Sequence, residues 1–363
     1  MTHLSDESQQ KLKAVASAVT DPNLGAPLGE AVRALAVRDG KVAIELVLGY
    51  AAKHGVAAIE QALTEALCAV DGIHAVSVDI RSEILQHAVQ GGLAPLDGVR
   101  NIIAVASGKG GVGKSTVAVN LALALQNEGA RVGLLDADIY GPSVPRMLGL
   151  SGSPKTHAQN QILPMEALGL QVMSIGVLVD TNQAMIWRGP MATQALQQML
   201  NQTQWSGLDY LILDLPPGTG DIQLTLSQRV PVAGVVTVTT PQAVALDDVR
   251  RAVAMFNKVK IPILGVVENM STYICRHCGE EEAIFGHGGG EQIAKETGIN
   301  LLGQVPLNAQ LGRTTDEGQS LIQQAPDHPV SVRFGEIARR VGAELAQQSR
   351  NRQVRMPKIK IVE

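Results

Sequence analysis

The chain has 363 residues, 45% hydrophobic and 18% charged, with a formal net charge of −4 and only 2% aromatics. That balance excludes a basic DNA-binding face and a stacking platform for single strands, and no apolar run reaches the roughly 18 residues of a membrane span. Three cysteines, an odd number, and the polar, acidic opening Met1-Thr2-His3-Leu4-Ser5-Asp6-Glu7 argue against a disulfide framework and a signal peptide. The expectation is a cytoplasmic protein with neither nucleic acid nor membrane as partner, built as one large domain with or without a small one.

Residues 1–80 read as a small αββαβ unit. Ser5 suits the cap of a helix running to about Ala18. Asp39-Gly40 between Ala34–Val37 and Val42–Leu48 signals a two-residue hairpin, and Val42, Ile44, Leu46 and Leu48 alternate onto one face. A helix from about Val56 to Val70 and a strand at His74–Ile80 follow. This order, with Val19-Thr20-Asp21-Pro22 at its start, resembles the small N-terminal domain of cytosolic iron–sulfur assembly factors. Such domains usually carry a cysteine after the second strand, where this chain has Gly49–Gly55. Cys68 is expected to be a buried core thiol on an apolar helical stripe. Residues 81–99, with Gly91-Gly92, Pro95 and Gly98, read as a linker containing a frayed helical piece.

From Asn101 to about residue 348, apolar strand runs alternate with helical patterns: Ile102–Ala106, Arg131–Asp136, Leu170–Ile175, Tyr210–Leu213, Gly234–Thr239, Ile263–Glu268 and Leu301–Val305. Continuous apolar strands between helices predict a mostly parallel sheet covered by helices on both faces. After the first strand comes Ser107-Gly108-Lys109-Gly110-Gly111-Val112-Gly113-Lys114-Ser115-Thr116, which carries G-x-x-x-x-G-K-[ST]. Glycines let backbone N–H groups turn onto phosphates, Lys114 adds a point charge, and the Ser115 hydroxyl suits Mg²⁺. The strand before and the helix after are the setting this α/β phosphate-loop NTPase motif requires.

Lys109 is a second lysine inside that loop. With it the sequence resembles the deviant phosphate-loop ATPases of cell division, plasmid partition and arsenite pumping. In that class this lysine reaches across a homodimer to the partner's nucleotide, so the resemblance implies a nucleotide-sandwich homodimer. Other segments have the spacing of a phosphoryl-transfer site. Asp136 and Asp138 leave one strand two residues apart; one suits the Mg²⁺ water shell and one the attacking water, and Asp138 takes the second role. Asp214 ends an apolar strand on the Mg²⁺ side and leads into the stiff Leu215-Pro216-Pro217-Gly218-Thr219-Gly220-Asp221. An Asn at a strand's carboxyl end, here Asn269 in Glu268-Asn269-Met270, can bond both kinds of atom on a base.

Together with Ile186-Trp187-Arg188-Gly189-Pro190-Met191, these segments resemble the Mrp/ApbC family of iron–sulfur cluster carrier ATPases over roughly residues 100–345. The resemblance implies an ATP-hydrolysing carrier that receives a [4Fe–4S] cluster and passes it to apo-enzymes. By carry-over, Asn269 sits on adenine with Pro306 beside it. Cys275-Arg276-His277-Cys278 follows the Asn269 strand closely. A redox pair, a zinc site completed by His277 or His287, and inert loop thiols are the competing readings. Clusters commonly take four thiolates, and a two-fold axis would supply two from each chain. That arithmetic favours Cys275 and Cys278 as cluster ligands at a homodimer interface. A spatial-positioning ATPase and a nucleotide-gated adaptor without turnover are the alternatives. The last helix, about Val330 to Gln348, is interrupted by Arg339-Arg340, and residues 349–363 read as a basic tail.

Overall fold

The computed structural model describes residues 6–90, 93–157, 161–178, 189–218, 220–275 and 277–348. Ser5, the Trp187-Arg188 pair, Thr219, Arg276 and the tail at 349–363 lie outside them.

The N-terminal unit opens with α1 (Asp6–Ala18) and a short ladder of β1 (Thr20–Asp21) on β2 (Ala26–Pro27). It continues with β3 (Val32–Arg38), β4 (Lys41–Leu48), α2 (Val56–Cys68) and β5 (Ala75–Ser82). The expected hairpin forms at Asp39-Gly40, both at positive φ (46° and 71°), and β3-β4-β5 make one sheet. Val42, Ile44, Leu46 and Leu48 all point under the two helices, as their alternation requires.

Cys68 departs from expectation: it is exposed. The buried stripe of α2 is Ile59, Leu63 and Leu67 at spacings of four, and Cys68 stands one residue, about 100°, off that line.

The segment after β5 forms no helix among its described residues. It is strapped to its neighbours instead: Glu83 N–H donates to the Leu48 carbonyl (2.8 Å), His87 N–H to Asn101 Oδ1 (3.0 Å), and Asn101 Nδ2 to the Leu85 carbonyl (2.8 Å). Ile84 and His87 are buried there. A chain so tied cannot fray, because its backbone groups already have partners.

The larger unit begins with β6 (Val99–Ala106), α3 (Lys114–Asn127), β7 (Val132–Asp136) and α4 (Val144–Met147). Four short strands follow, β8 (Thr156–His157), β9 (Gln161–Ile162), β10 (Met165–Ala167) and β11 (Leu170–Ser174). Then come α5 (Gly189–Gln202), β12 (Leu208–Asp214), α6 (Asp221–Arg229), β13 (Val232–Thr239), α7 (Ala243–Lys258) and β14 (Ile263–Ile274). The rest is β15 (Glu281–Glu282), α8 (Gly289–Thr297), β16 (Leu301–Leu307), α9 (Ala309–Asp316), α10 (Leu321–Gln324) and α11 (Pro329–Ala346).

The main sheet runs β10-β11-β7-β12-β6-β13-β14, and β14 pairs both β15 and β16. All pairings are parallel except those of β10 and β15. Ile103 and Val105 of β6 face the core under α3 and α11, while Ile102, Ala104 and Ala106 face the core under α5 and α7. Burial on both faces explains the unbroken apolar strands. From β6 the chain moves to β7 on one side and later to β13 on the other, so the carboxyl edge beside β6 is a topological switch point, where such sheets bind ligands.

The two units meet at α11 and the far end of α3. Arg339 pairs with Glu128 and donates Nε–H to Asn23 Oδ1 (3.0 Å). Glu128 also accepts from His54 N–H (2.8 Å), and Asn23 and Asp21 both bond the Tyr50 hydroxyl (2.9 and 2.7 Å). The arginine and glutamate side chains are 14% and 1% exposed, so deleting either strands a buried charge at a cost of roughly 3–5 kcal/mol. Arg339 therefore seals the seam between the units, a role invisible when it reads only as a break in an apolar helix.

Candidate functional site: a phosphate loop and a thiol hairpin

β6 stops at Ala106, and the chain turns through residues 107–113 into α3. Gly111 and Gly113 take left-handed φ (82° and 78°), which non-glycine residues adopt only under strain. A Cβ on Gly108 would stand 2.4 Å from the Asp248 backbone, and one on Gly113 2.2 Å from Asn269 Nδ2. The glycines are thus required by close neighbours behind the loop as well as by the turn. Asn269 Nδ2 donates to the Val112 carbonyl (2.9 Å), Ser107 Oγ to the Lys109 carbonyl (2.9 Å), and Gly218 N–H to the Ser107 carbonyl (2.9 Å). The loop is braced from β14, from within, and from the segment after β12.

Two carboxylates flank the end of Lys114, and a third lies opposite one of them. Its side chain is 6% exposed; its ammonium pairs with Asp214, reaches Ser115 Oγ at 3.2 Å and lies 3.7 Å from Asp138. Asp136 and Asp214 stand opposite each other in the register of β7 and β12. Burial, then the neighbouring Asp214, pushes the Asp136 carboxyl up to about 7. Asp136 is held by Ser174 Oγ (2.9 Å), Asp138 N–H (3.1 Å) and Val144 N–H (3.3 Å), so it shapes the 137–143 turn. Burial also raises Asp214, with Lys114 pulling it back.

Asp214 Oδ2 is buried with no hydrogen-bond partner among the described residues. A buried acceptor left so is costly unless something outside the chain satisfies it. The set fits a nucleotide with its Mg²⁺: a backbone cradle, a cation, a hydroxyl and a free carboxylate oxygen converge on one sheet edge. Lys109 is half-buried in the same loop, and among the described residues no carboxylate pairs with it. Pro306 follows Val305, the register partner of Asn269, so the structure brings Asn269 and Pro306 to adjacent strands.

The cysteine pair sits on a hairpin. β14 runs on past the sheet edge and pairs antiparallel with β15 through Tyr273–Glu282 and Ile274–Glu281. Cys275 N–H donates to the Glu280 carbonyl and Gly279 N–H to the Cys275 carbonyl, both at 2.9 Å, with Gly279 left-handed (φ 75°). Cys275 is half-buried and Cys278 exposed. Backbone N–H groups of Cys278 and then His277 hold the Cys275 thiol below its usual range, with the Cys278 thiol adding to the effect. That favours the thiolate, the metal-binding form. No group of three or more His, Cys, Asp or Glu that could hold a metal occurs among the described residues. His277 and His287 therefore do not complete a zinc site with these thiols there.

A cavity of about 380 Å³ lies beside the hairpin: Cys275, Tyr273 and Ile274 line one side, Pro306 and Leu307 another. Sequence reasoning missed the β15 return strand, Ser174 behind Asp136, and the Glu128–Arg339 seam. Two-residue β15 is too short to show periodicity, and the others are pairings across distant parts of the chain.

Fold and site together define a phosphate-loop NTPase. Residues 98–342 match the family described as NUBPL iron-transfer P-loop NTPase, and residues 9–80 match the iron–sulfur cluster assembly protein family. The chain belongs to the first of these families through its larger unit. It is 49% identical over 306 residues to an iron–sulfur cluster carrier protein of Haemophilus influenzae, covering 84% of this chain and 83% of the relative. It is 46% identical over 320 residues to the Escherichia coli K12 protein of that name, covering 88% and 87%. Among solved structures it is similar to a nucleotide-binding protein from Archaeoglobus fulgidus in complex with ADP (TM-score 0.54, 37% identity, 61% of this chain and 88% of that one). The cell-division ATPase MinD of Pyrococcus furiosus shares the fold (TM-score 0.52, 21% identity, 66% and 98% covered).

Proposed function

We propose that this protein is an ATP-hydrolysing iron–sulfur cluster carrier. Two copies hold a labile [4Fe–4S] cluster between their Cys275 and Cys278 pairs and pass it to apo-proteins in the cytoplasm. The observation that carries this reading is the pair of thiols, half-buried Cys275 and exposed Cys278, on the hairpin that continues β14, the strand that braces the phosphate loop. Two thiolates from one chain and two from its mate give the four a cluster commonly takes. A site so shared and exposed gives up its cargo readily, as a carrier must.

In the nucleotide site, backbone N–H groups of residues 108–113 and the Lys114 ammonium bind the phosphates, drawing Lys114 from its carboxylates. Ser115 and Asp214 would hold Mg²⁺, with Asp136 supporting from its hydrogen-bonded position; bound there, Mg²⁺ neutralises charge on the phosphates. Asp138, which lies 3.7 Å from Lys114, orients the attacking water. Lys109, free of carboxylate partners among the described residues, adds charge to the partner's nucleotide. Asn269 and Pro306 flank the base, and Thr116 completes the loop's end at α3.

Against the positioning-ATPase alternative, the apolar face of α11 is spent on α3 and β16 in the core.

The test is complementation in mixed dimers. Lys109→Ala should bind nucleotide but hydrolyse little, and so should Asp138→Ala. Mixing the two should restore part of the phosphate release, because one of the two shared sites then has both groups. No recovery on mixing would overturn the shared-site reading; turnover absent from the wild type would leave a nucleotide-gated adaptor.

A further inference from the structure

Three successive residues of β14 form a junction between the phosphate loop and the thiol hairpin. Asn269 reaches the loop at the Val112 carbonyl. Met270 follows with φ at 55°, a left-handed conformation strained for a long side chain, and its Cε lies 3.5 Å from where a Gly113 Cβ would stand. Glu268 is fully buried and accepts from Gly290 N–H (2.5 Å) and Gln304 Nε2 (2.8 Å). Gly290 lies in the first turn of α8, just after the chain returns from the hairpin, so Glu268 ties the outgoing and returning roots together.

Between Asn269 and Tyr273 the register of β14 against β16 breaks, and pairing resumes only at Tyr273–Leu307. Cys275 comes two residues later, on the wall of the cavity that Pro306 also lines. A strained residue beside a ladder break is where a strand pivots with least loss of hydrogen bonding. On one side of that pivot the strand is pinned by Glu268; on the other it carries the cysteines. A change of the phosphate loop around phosphates would act on the Asn269 hydrogen bond at Val112 and on the space beside Gly113 that Met270 Cε borders.

We propose that Glu268-Asn269-Met270 couples occupancy of the phosphate loop to the exposure of Cys275 and Cys278, with Met270 as pivot and Glu268 as anchor. The inference rests on the reading of residues 107–116 as a nucleotide site and gives the route by which nucleotide acts on the cargo ligands. Glu268 and Met270 are positioning residues in this scheme.

The test uses the full chain without cluster, so that it does not depend on cluster binding. Alkylation of Cys275, Cys278 and Cys68 by iodoacetamide is followed peptide by peptide, with and without saturating Mg·ADP, and ADP affinity is measured by calorimetry on the same samples. Mg·ADP should change the Cys275 rate about fivefold or more, within the range of typical site-to-site coupling. Cys68, exposed on the other unit, serves as the internal reference and should not respond.

Met270→Gly relieves the left-handed strain and removes the side-chain contact; it should still bind ADP but lose most of the response. Met270→Leu keeps the strained backbone and a bulky apolar side chain and should retain it. Glu268→Gln exchanges one acceptor for a donor at the pinned root and should weaken it. A Cys275 rate that ignores Mg·ADP in wild-type protein shown to bind it overturns the coupling, as does a full response in Met270→Gly. Failure of the wild type to bind ADP at all would sink the nucleotide-site reading, and the coupling with it.

Discussion

The phosphate loop and the thiol hairpin both meet β14, one braced by its Asn269 and the other continuing its carboxyl end, yet they are built on opposite principles. Around the loop, Lys114, Asp136 and Asp214 are buried, paired and held by neighbours on several strands. On the hairpin, Cys278 is exposed, and among the described residues no third His, Cys, Asp or Glu joins the two thiols in a metal-holding group. A site that stabilises charge during phosphoryl transfer gains from desolvation, where each interaction is strengthened and preorganised. A site that must surrender its contents gains from exposure and from ligands divided between two molecules. The contrast suits a machine that keeps its fuel site closed and its cargo site open.

The sharpest way to break that contrast is to disable each side and look for damage on the other. Lys114→Ala should lower phosphate release by roughly 10²- to 10³-fold, the usual loss when one aligned charge-stabilising donor is removed. Its circular dichroism should stay native, and anaerobic reconstitution should still load the cluster. Normal turnover in this variant would remove the loop from the mechanism.

Cys275→Ala probes the open side. Iron bound after reconstitution should fall from about four atoms per two chains to background, since a pair of variants offers two thiolates. ADP affinity should stay near that of the wild type, because the nucleotide ligands come from other segments. One zinc per chain, or a cluster that persists in an enforced monomer, would contradict a bridged site.

Acidity offers a finer probe of the closed side. Burial and Asp214 raise the folded-state Asp136 carboxyl to about 7, above its unfolded value near 4. The folded protein then binds the proton more tightly than the unfolded chain, so its stability contribution is present below about pH 4 and is lost as pH rises to about 7. Asp136→Asn should flatten that slope in denaturant titrations across this window. An unchanged slope would show that Asp136 ionises freely and that the closed side is wetter than its burial implies.

The smallest effect is expected at Cys68. Because the thiol is exposed at the end of α2, Cys68→Ala should change stability by less than about 0.5 kcal/mol and leave cluster content untouched. A loss of cluster there would make the N-terminal unit part of the open site.

Much of this molecule was legible from the chain alone, because its strongest signals are local. The phosphate loop is a run of residues whose spacing sets backbone geometry directly, so the turns at Gly111 and Gly113 ahead of Lys114 and Ser115 could be read from it. The alternation in β4 and the unbroken apolar run of β6 likewise announced a half-buried and a fully buried strand. Phase was harder to judge: Cys68 looked like part of an apolar stripe, but one residue of helical rotation carried it into solvent.

Tertiary structure alone decided the rest, for a common reason. Which side chains meet across the sheet depends on strand order and register, which no spacing along the chain encodes. Asp136 faces Asp214 across seventy-seven intervening positions because β7 and β12 pair in that register, and burial then raises both carboxyls. Ser174, Arg339 with Glu128, and Glu268 with Gly290 are contacts of the same kind. The sequence determined that there is a phosphate loop and a pair of thiols. Only the fold brought the loop against the middle of the strand whose end carries the thiols, because long-range contacts are settled by packing rather than by local pattern.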